Sequence, residues 1–228
     1  MNNNIKLIAG FALLAAATGA QAVEHPFEVR LGEYFVMYDA KANDLTGAFV
    51  PAGVNLDIKN VNTPYFAATY SFDPHWVLQL SAGVPPKTET IGKGPATLGS
   101  VPYNGQVVST AKWFAPTVIL NYVFGPQGWL VRPYVGVGVN YTHFYDRQST
   151  AAGDAANGGP TAISLTNSTG FEWTVGAKLR LTERWHAYAS YSATTVNSDY
   201  IGNTAGTIRR TSIKFNPSAF VASVGYSF

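Results

Sequence analysis

The chain ends in the ten residues AFVASVGYSF, Ala219–Phe228, and their alternation decides the fold. Successive side chains of a β-strand point to opposite faces, so the even-numbered residues from Phe220 to Phe228 share one face. That face is apolar and rich in aromatic residues, whereas the opposite face carries small and partly polar residues. An apolar, aromatic-rimmed outer face with a partly polar inner face is typical of a strand in a transmembrane β-barrel.

Seven earlier segments show the same two-residue period, rather than the 3.6-residue period of a helix. Tight turns such as Asp73-Pro74 and Gly125-Pro126-Gln127-Gly128 separate some of them. With the last segment they predict eight strands, at residues 27–38, 62–72, 75–84, 110–124, 129–144, 168–181, 185–195 and 211–228.

The lengths of the connections alternate along the chain. Those after predicted strands 2, 4 and 6 are a few residues long, and those after strands 1, 3, 5 and 7 are long and rich in Gly, Ala, Asn, Thr and Pro. Short periplasmic turns that alternate with long outer loops are characteristic of bacterial outer-membrane barrels. The sequence therefore predicts an all-β protein, an eight-stranded antiparallel transmembrane β-barrel with short periplasmic turns and long extracellular loops.

Composition supports a membrane barrel over a soluble one. Only 12% of the residues are charged, about half the usual fraction in soluble proteins. The alternative is a soluble barrel of lipocalin type with its apolar face inward. That alternative is disfavoured because the faces opposite the apolar ones carry charged and polar residues such as Arg30, Gln79, Arg132 and Lys178.

The N-terminal segment predicts export. Lys6 precedes an uncharged run over residues 7–17, and Ala20-Gln21-Ala22 is a small-x-small cleavage site; this is the pattern of a secretory signal peptide. We expect residues 1–22 to be cleaved and residues 23–228 to form a single barrel in the outer membrane of a Gram-negative bacterium. The alternative for residues 1–22 is an amphipathic or core helix.

The net charge of only +2 gives no reason to expect nucleic-acid binding.

The inward-facing residues divide into two groups by height. The periplasmic half collects charges, which must be paired when buried, and we interpret it as an ionic plug formed by Glu28, Arg30, Arg132, Lys178, Arg180 and His186. The outer half is apolar and aromatic, and it predicts a ligand-binding cup formed by Tyr34, Val36, Tyr38, Tyr65, Trp113, Phe144, Ile213 and Phe215. The alternative is that these side chains only fill a narrow lumen, because barrels of eight strands have little interior space.

Three prolines fall inside predicted strands, where each removes a donor from the hydrogen-bond ladder. We take Pro64, Pro116 and Pro217 as candidates for a lateral gap in the barrel wall. A gap beside the apolar cup would let a hydrophobic solute leave sideways into the membrane.

Several blocks of the sequence resemble the OmpW family of small outer-membrane proteins, which includes the alkane-import porins of AlkL type. The most specific is Val131-Arg132-Pro133-Tyr134-Val135-Gly136-Val137-Gly138-Val139-Asn140-Tyr141-Thr142, and Ala115-Pro116-Thr117 and Gly225-Tyr226-Ser227-Phe228 also fit. The resemblance implies an eight-stranded barrel whose lumen admits small hydrophobic compounds and releases them laterally. Ser81 and Thr169 stand where family members tend to have Leu and Trp, which makes the pocket less apolar.

No pattern in the sequence indicates catalysis. The four histidines lack metal-ligand spacing, cysteine is absent, and there is no Gly-x-Ser-x-Gly motif. We therefore expect no enzyme activity, no cofactor and no metal. The expected partners are outer-membrane lipids, small hydrophobic solutes and, through the C-terminal aromatic strand, the barrel-assembly machinery. The alternative function is a structural, adhesive or receptor barrel whose long loops bind an external partner.

Overall fold

A computed structural model describes residues 23–228, and the predicted signal peptide lies outside this range. Strands dominate the described chain. In chain order they are β1 (Phe27–Tyr38), β2 (Lys41–Ala42), β3 (Thr46–Gly47), β4 (Asn55–Ile58), β5 (Val61–Ser71), β6 (Trp76–Gly83), β7 (Lys87–Lys93), β8 (Thr97–Leu98), β9 (Val101–Pro102), β10 (Val107–Phe114), β11 (Thr117–Val123), β12 (Val131–Ser149), β13 (Ala162–Leu165), β14 (Ser168–Arg180), β15 (Trp185–Thr194), β16 (Asn197–Thr204), β17 (Thr207–Lys214) and β18 (Pro217–Ser227). One short helix, α1 (Ala151–Asn157), lies between β12 and β13.

Eight of the strands close into an antiparallel barrel, as predicted. Their order around the wall is β1, β5, β6, β11, β12, β14, β15 and β18, and β18 pairs with β1 to close the ring. The closing register runs from Glu28 opposite Ser227 to Tyr38 opposite Pro217. The backbone of Phe228 also donates a hydrogen bond to the carbonyl of Phe27, at 2.8 Å.

The outer face of the barrel is a belt of exposed apolar side chains. Its members include Leu31, Phe66, Leu80, Leu120, Val137, Trp173, Tyr191 and Phe220. Trp76, Trp129 and Trp185 follow the three short turns and are also exposed, which places aromatic residues at the periplasmic edge. This arrangement matches the lipid-facing band of an outer-membrane barrel. Within residues 23–228, no helix has the length and apolar character needed to cross a membrane.

The wall continues above the belt as two separate sheets, and most of their strands lie in segments that the sequence predicted as loops. One sheet pairs β4, β7, β10 and the upper part of β12, and the other pairs β13, β16, β17 and the short strands β2 and β3. An apolar core lies between them and includes Val54, Leu56, Ile58, Tyr103 and Tyr200. The long connections therefore form an ordered extracellular layer.

Two predicted strands are interrupted. Predicted strand 4 is divided into β10 and β11 at Ala115-Pro116, and predicted strand 8 into β17 and β18 at Phe215-Asn216. The physical reason is local: Pro116 and Pro217 have no backbone N–H to donate to a neighbouring strand, and Asn216 has a positive φ of 37°.

Candidate functional site: the lumen and its wall

Glu28 is the centre of the buried charge cluster in the periplasmic half of the lumen. Its Oε1 accepts a hydrogen bond from Arg30 Nε at 2.6 Å, and its Oε2 accepts one from Tyr188 Oη at 2.7 Å. His186 Nδ1 and Lys178 Nζ lie 3.0 and 3.5 Å from the same Oε2. The guanidinium of Arg30 also lies over the Tyr188 ring, 3.6 Å from its centroid. Four of the predicted plug residues, Glu28, Arg30, Lys178 and His186, thus meet in one cluster.

The other two predicted plug residues contact backbone carbonyls and not Glu28. Arg132 donates to the carbonyls of Pro74 (2.6 Å), Gly125 (2.9 Å), Phe124 (3.2 Å) and Val123 (3.4 Å). Arg180 donates to the carbonyl of Gly128 at 3.0 Å and is exposed. Arg132 therefore joins two periplasmic turns to each other, because Pro74 follows β5 and Gly125 follows β11.

A polar layer lies above the charge cluster. Gln79 Oε1 accepts hydrogen bonds from Arg30 Nη1 at 3.2 Å and from Asn121 Nδ2 at 3.3 Å, and Gln79 Nε2 donates to Tyr65 Oη at 3.1 Å. Tyr65, which the sequence assigned to the cup, belongs to this layer. A cavity of about 400 Å³ lies on the periplasmic side, lined mainly by charged and polar residues that include Glu28 and Arg132.

The remaining cup residues lie in the outer half of the lumen and are packed together. Val36, Trp113, Phe144, Ile213 and Phe215 are buried in one apolar cluster with residues of the extracellular sheets. The Phe144 and Phe215 rings stack with centroids 5.3 Å apart, and Tyr38 meets Phe215 edge-on at 6.2 Å. Tyr34 and Tyr38 are half-buried at the edge of this cluster.

The free space within the cup is small. Two cavities, of about 30 and 20 Å³, remain among the cup residues, and each holds little more than one water molecule. The larger is lined by Tyr34, Trp113, Ala115 and Phe215, among others. The extracellular layer therefore fills most of the cup, and a solute of several carbon atoms can enter only if side chains move.

The barrel wall remains closed at two of the three candidate prolines. At Pro64, β5 stays paired with β1, and the Pro64 carbonyl accepts a hydrogen bond from the Val84 N–H at 2.8 Å. The Thr63 hydroxyl donates to the Val84 carbonyl and so replaces the donor that Pro64 lacks. At Pro217 the pairing with the neighbouring chain segment continues in one register on both sides of the proline. Above it, the Phe215 N–H donates to the Val196 carbonyl at 2.8 Å, and below it, Ser218 lies opposite Ala193.

The break in the wall lies between residues 82–86 and residues 113–116. The last pair of β6 and β11 is Ser81 with Thr117, and pairing resumes between β7 and β10 at Lys87 with Lys112. Within the described chain, no backbone hydrogen bond joins the two intervening segments. We call this break the lateral gap. It begins just above Leu80 and Val118, which are exposed on the lipid-facing side.

Pro85 explains the gap better than Pro116 does. The Val84 N–H points toward β5, where it donates to the Pro64 carbonyl. The next residue along, Pro85, lies on the side that faces β10 and has no N–H to offer to it. Pro116 borders the gap, but its missing donor points toward β12, where its carbonyl accepts from Tyr141 N–H at 3.0 Å. Sequence reasoning missed Pro85-Pro86 because they follow predicted strand 3, although a double proline next to a strand end is a recognisable breaker signal.

The comparisons with known proteins bear on this barrel and its lumen. The model of the family described as "OmpW family" matches residues 24–228. The chain belongs to the OmpW family. This OmpW-family barrel is 28% identical over 224 residues to Outer membrane protein W of Vibrio cholerae, covering 97% of this chain and 98% of that protein.

Two further comparisons agree with this assignment. The "Dibenzothiophene metabolism operon protein PahQ" of Pseudomonas aeruginosa is 33% identical over 144 residues, which is 60% of this chain and 61% of that protein. The crystal structure of the outer membrane protein OprG from Pseudomonas aeruginosa superposes with a TM-score of 0.79 at 21% identity, covering 90% of this chain and 96% of that one. The OmpW-family chain is therefore a porin-like, non-enzymatic barrel of the Gram-negative outer membrane.

Proposed function

We propose that this OmpW-family barrel takes up small hydrophobic molecules from outside the cell and releases them sideways into the outer membrane. The observation that carries the proposal is the lateral gap, because it adjoins the apolar cup. Trp113 and Ala115 line both the gap and the larger cup cavity. Below them, the polar layer and the charge cluster around Glu28 oppose passage of an apolar solute toward the periplasm, because desolvating buried charges is costly.

The name of one relative supports the same class of solute. PahQ is described as a protein of a dibenzothiophene metabolism operon, and dibenzothiophene is an apolar aromatic molecule. For this chain we propose only the class of solute, small hydrophobic molecules, and not dibenzothiophene itself.

A crosslink across the gap tests the lateral route. Val84 and Phe114 lie on opposite sides of the gap and both point outward, and the chain contains no cysteine. We expect the double variant Val84→Cys/Phe114→Cys, joined by a short reducible linker, to transfer a hydrophobic fluorescent probe into proteoliposome membranes several-fold more slowly than wild type. Reduction of the linker should restore the rate.

The matched control places the same linker across a closed part of the wall. Ala193 and Ser218 are directly opposite each other on β15 and β18 and also point outward. Linking cysteines at these positions should leave probe transfer unchanged. Equal transfer by both linked variants would exclude the gap as the route.

A second candidate function is a structural or receptor barrel, which the filled cup and the packed extracellular sheets favour. Replacing a cup wall residue discriminates between the two functions. Trp113 is buried, and its Nε1 donates to Thr88 Oγ1 at 3.0 Å. If Trp113→Arg leaves the entry of a hydrophobic probe unchanged, uptake through the cup is excluded and the structural function is preferred.

Insertion through the barrel-assembly machinery is also part of the proposal. The terminal strand β18 and the residue after it present the exposed Phe220, Val224 and Phe228 on the lipid-facing side. This apolar, aromatic face is the feature that supports recognition of the C-terminus during assembly.

A further inference from the structure

The lumen contains a second buried carboxyl group, Glu172 on β14, whose surroundings differ from those of Glu28. Glu172 is 4% exposed. Its Oε2 accepts hydrogen bonds from Thr194 Oγ1 at 2.8 Å and from Thr117 Oγ1 at 3.4 Å. Within the described residues no Lys, Arg or His nitrogen lies within 4.0 Å of it. A buried carboxylate without a cation is costly, whereas Glu28 has the cations of Arg30 and Lys178 within that distance.

A small polar chamber adjoins Glu172. Its free volume is about 20 Å³, which accommodates one group of the size of a water molecule. Hydroxyl oxygens dominate the polar part of the lining, and they are hydrogen-bond acceptors as well as donors. The polar lining consists of Tyr34, Tyr65, Gln79, Ser81, Thr117, Glu172, Thr174, Ser190 and Ser192.

The chamber is joined to both the cup and the lateral gap. Tyr34 and Ala115 line the chamber and the larger cup cavity alike, and Ala82, at the edge of the gap, lines the chamber. A ligand with a small polar head in the chamber would therefore extend an apolar tail into the cup. The lumen thus has the polarity of a site for an amphiphile, and the tail enters the cup when the packed side chains of the cup move aside.

We propose that the chamber binds the primary ammonium group of an amphiphilic amine, with Glu172 as its counter-ion. An ammonium group has three N–H donors and no acceptor, which matches a carboxylate surrounded by hydroxyl oxygens. A quaternary ammonium group has no N–H and exceeds the size of the chamber. A divalent metal ion prefers more than one carboxylate, and among residues 23–228 Glu172 alone contributes a carboxylate to the lining.

This inference rests on the proposed function only for the placement of the apolar tail in the cup. The head site depends on Glu172 and the chamber alone. Binding of the head group and transfer of neutral solutes can therefore be measured separately.

The test compares three ligands that share a hexyl tail: hexylammonium, hexan-1-ol and hexyltrimethylammonium. Wild-type protein in nanodiscs of uncharged phospholipid is titrated with each by calorimetry. We expect hexylammonium to bind at least about tenfold more tightly than the other two, the scale of one charge-assisted hydrogen bond. Equal affinity for the amine and the alcohol would overturn the proposal and show that Glu172 is a neutral acid.

Variants locate the effect at Glu172. Glu172→Gln keeps the size of the side chain and should weaken hexylammonium binding about tenfold while leaving hexan-1-ol within about twofold; Glu172→Asp should retain part of the preference. The matched control is Glu89→Gln, which removes an extracellular carboxylate that pairs with Lys59 at 2.9 Å and should change nothing. Because the ligand series on wild type needs no variant, a Glu172 variant that fails to fold does not leave the proposal undecided.

The two proposals fail in different ways. If neutral probes cross the gap but hexylammonium shows no preference, the ammonium site is excluded and uptake stands. If hexylammonium binds as expected but neutral probes are not transferred, the uptake function is excluded and the chamber remains an ammonium-binding site.

Discussion

At the scale of the residue, Arg132 is a charged side chain of the lumen that stabilises the periplasmic turns of the barrel. Its guanidinium donates to four backbone carbonyls in two periplasmic turns. We expect Arg132→Ala to lower the free energy of unfolding by about 3 kcal/mol. A hydrogen bond to a charged group contributes about 1.5–3 kcal/mol, and the four bonds contribute less than four times this because a single guanidinium makes them all. Arg132→Lys should lose about half of this, because an ammonium cannot reproduce the planar fork.

Urea unfolding in phospholipid vesicles measures the effect of both Arg132 variants. The control is Arg180→Ala, because the Arg180 side chain is exposed and makes one hydrogen bond within the described part of the chain, to the Gly128 carbonyl. That variant should stay within about 0.5 kcal/mol of wild type. Equal stability of the Arg132 and Arg180 alanine variants would contradict the assignment of Arg132 as the residue that joins the turns.

Glu28 carries the second prediction at this scale. Removing its carboxylate leaves Arg30, which is 6% exposed, without its ion-pair partner. Breaking a buried ion pair from one side costs about 3–5 kcal/mol, so Glu28→Ala should lower the free energy of unfolding, measured with urea, by that amount. Glu33→Ala, five residues further along β1 and facing outward, should not be destabilised. A loss of the same size in Glu33→Ala would contradict the assignment of the stability to the buried Glu28–Arg30 pair.

At the scale of the element, the extracellular sheets depend on one close contact between a glycine and a ring. A Cβ atom on Gly92 in β7 would lie 2.6 Å from the Tyr103 ring, which is 6% exposed. Gly92→Val should therefore displace the ring and loosen the extracellular layer, while the barrel below it stays folded. Limited proteolysis of reconstituted protein should cut the variant within residues 87–107 several-fold faster than wild type. The exposed Val101 offers the control, Val101→Thr, which should be cut at the wild-type rate.

The sequence predicted the elements that cross the membrane but few of those above it. In β1, β14 and β15 apolar and polar residues alternate over most of the strand, so the sequence placed β1 at its observed bounds and β14 and β15 within one residue of theirs. In β16, Asn197–Thr204, both faces contain polar residues, and no apolar alternation marks the strand. The pairing of such segments depends on contacts with distant strands, which a single sequence does not reveal.

The site shows the same division. Alternation correctly oriented Trp113 and Phe215 toward the lumen, because orientation follows from strand parity alone. Whether the cup is empty depends on Val54, Leu56 and Ile58, which pack in the same apolar cluster from β4 and the residue before it. The position of the gap depends on which neighbouring strand each proline faces. That follows from the register of the strands, and the sequence pattern near Pro85 and Pro116 does not determine the register.

At the scale of the whole molecule, the two halves of the lumen have opposite character, and the layer of Tyr65, Gln79, Asn121 and Arg30 separates them. An apolar solute is opposed by the charges on the periplasmic side, and a polar solute is opposed by the packed cup on the outer side. We therefore expect the wild-type barrel to give sugar-driven liposome swelling at the rate of protein-free vesicles.

Paired truncations identify which barrier controls each class of solute. Phe215→Ala/Tyr38→Ala opens the cup but keeps the polar layer, so it should speed the transfer of hydrophobic probes and leave sugar permeation unchanged. Tyr65→Ala/Gln79→Ala/Phe215→Ala joins the cup to the cavity of about 400 Å³ below, and it should admit sugars several-fold faster than wild type. Sugar permeation through the cup variant alone would show that the polar layer is not a barrier, and a pore through to the periplasm would then replace the lateral gap as the exit.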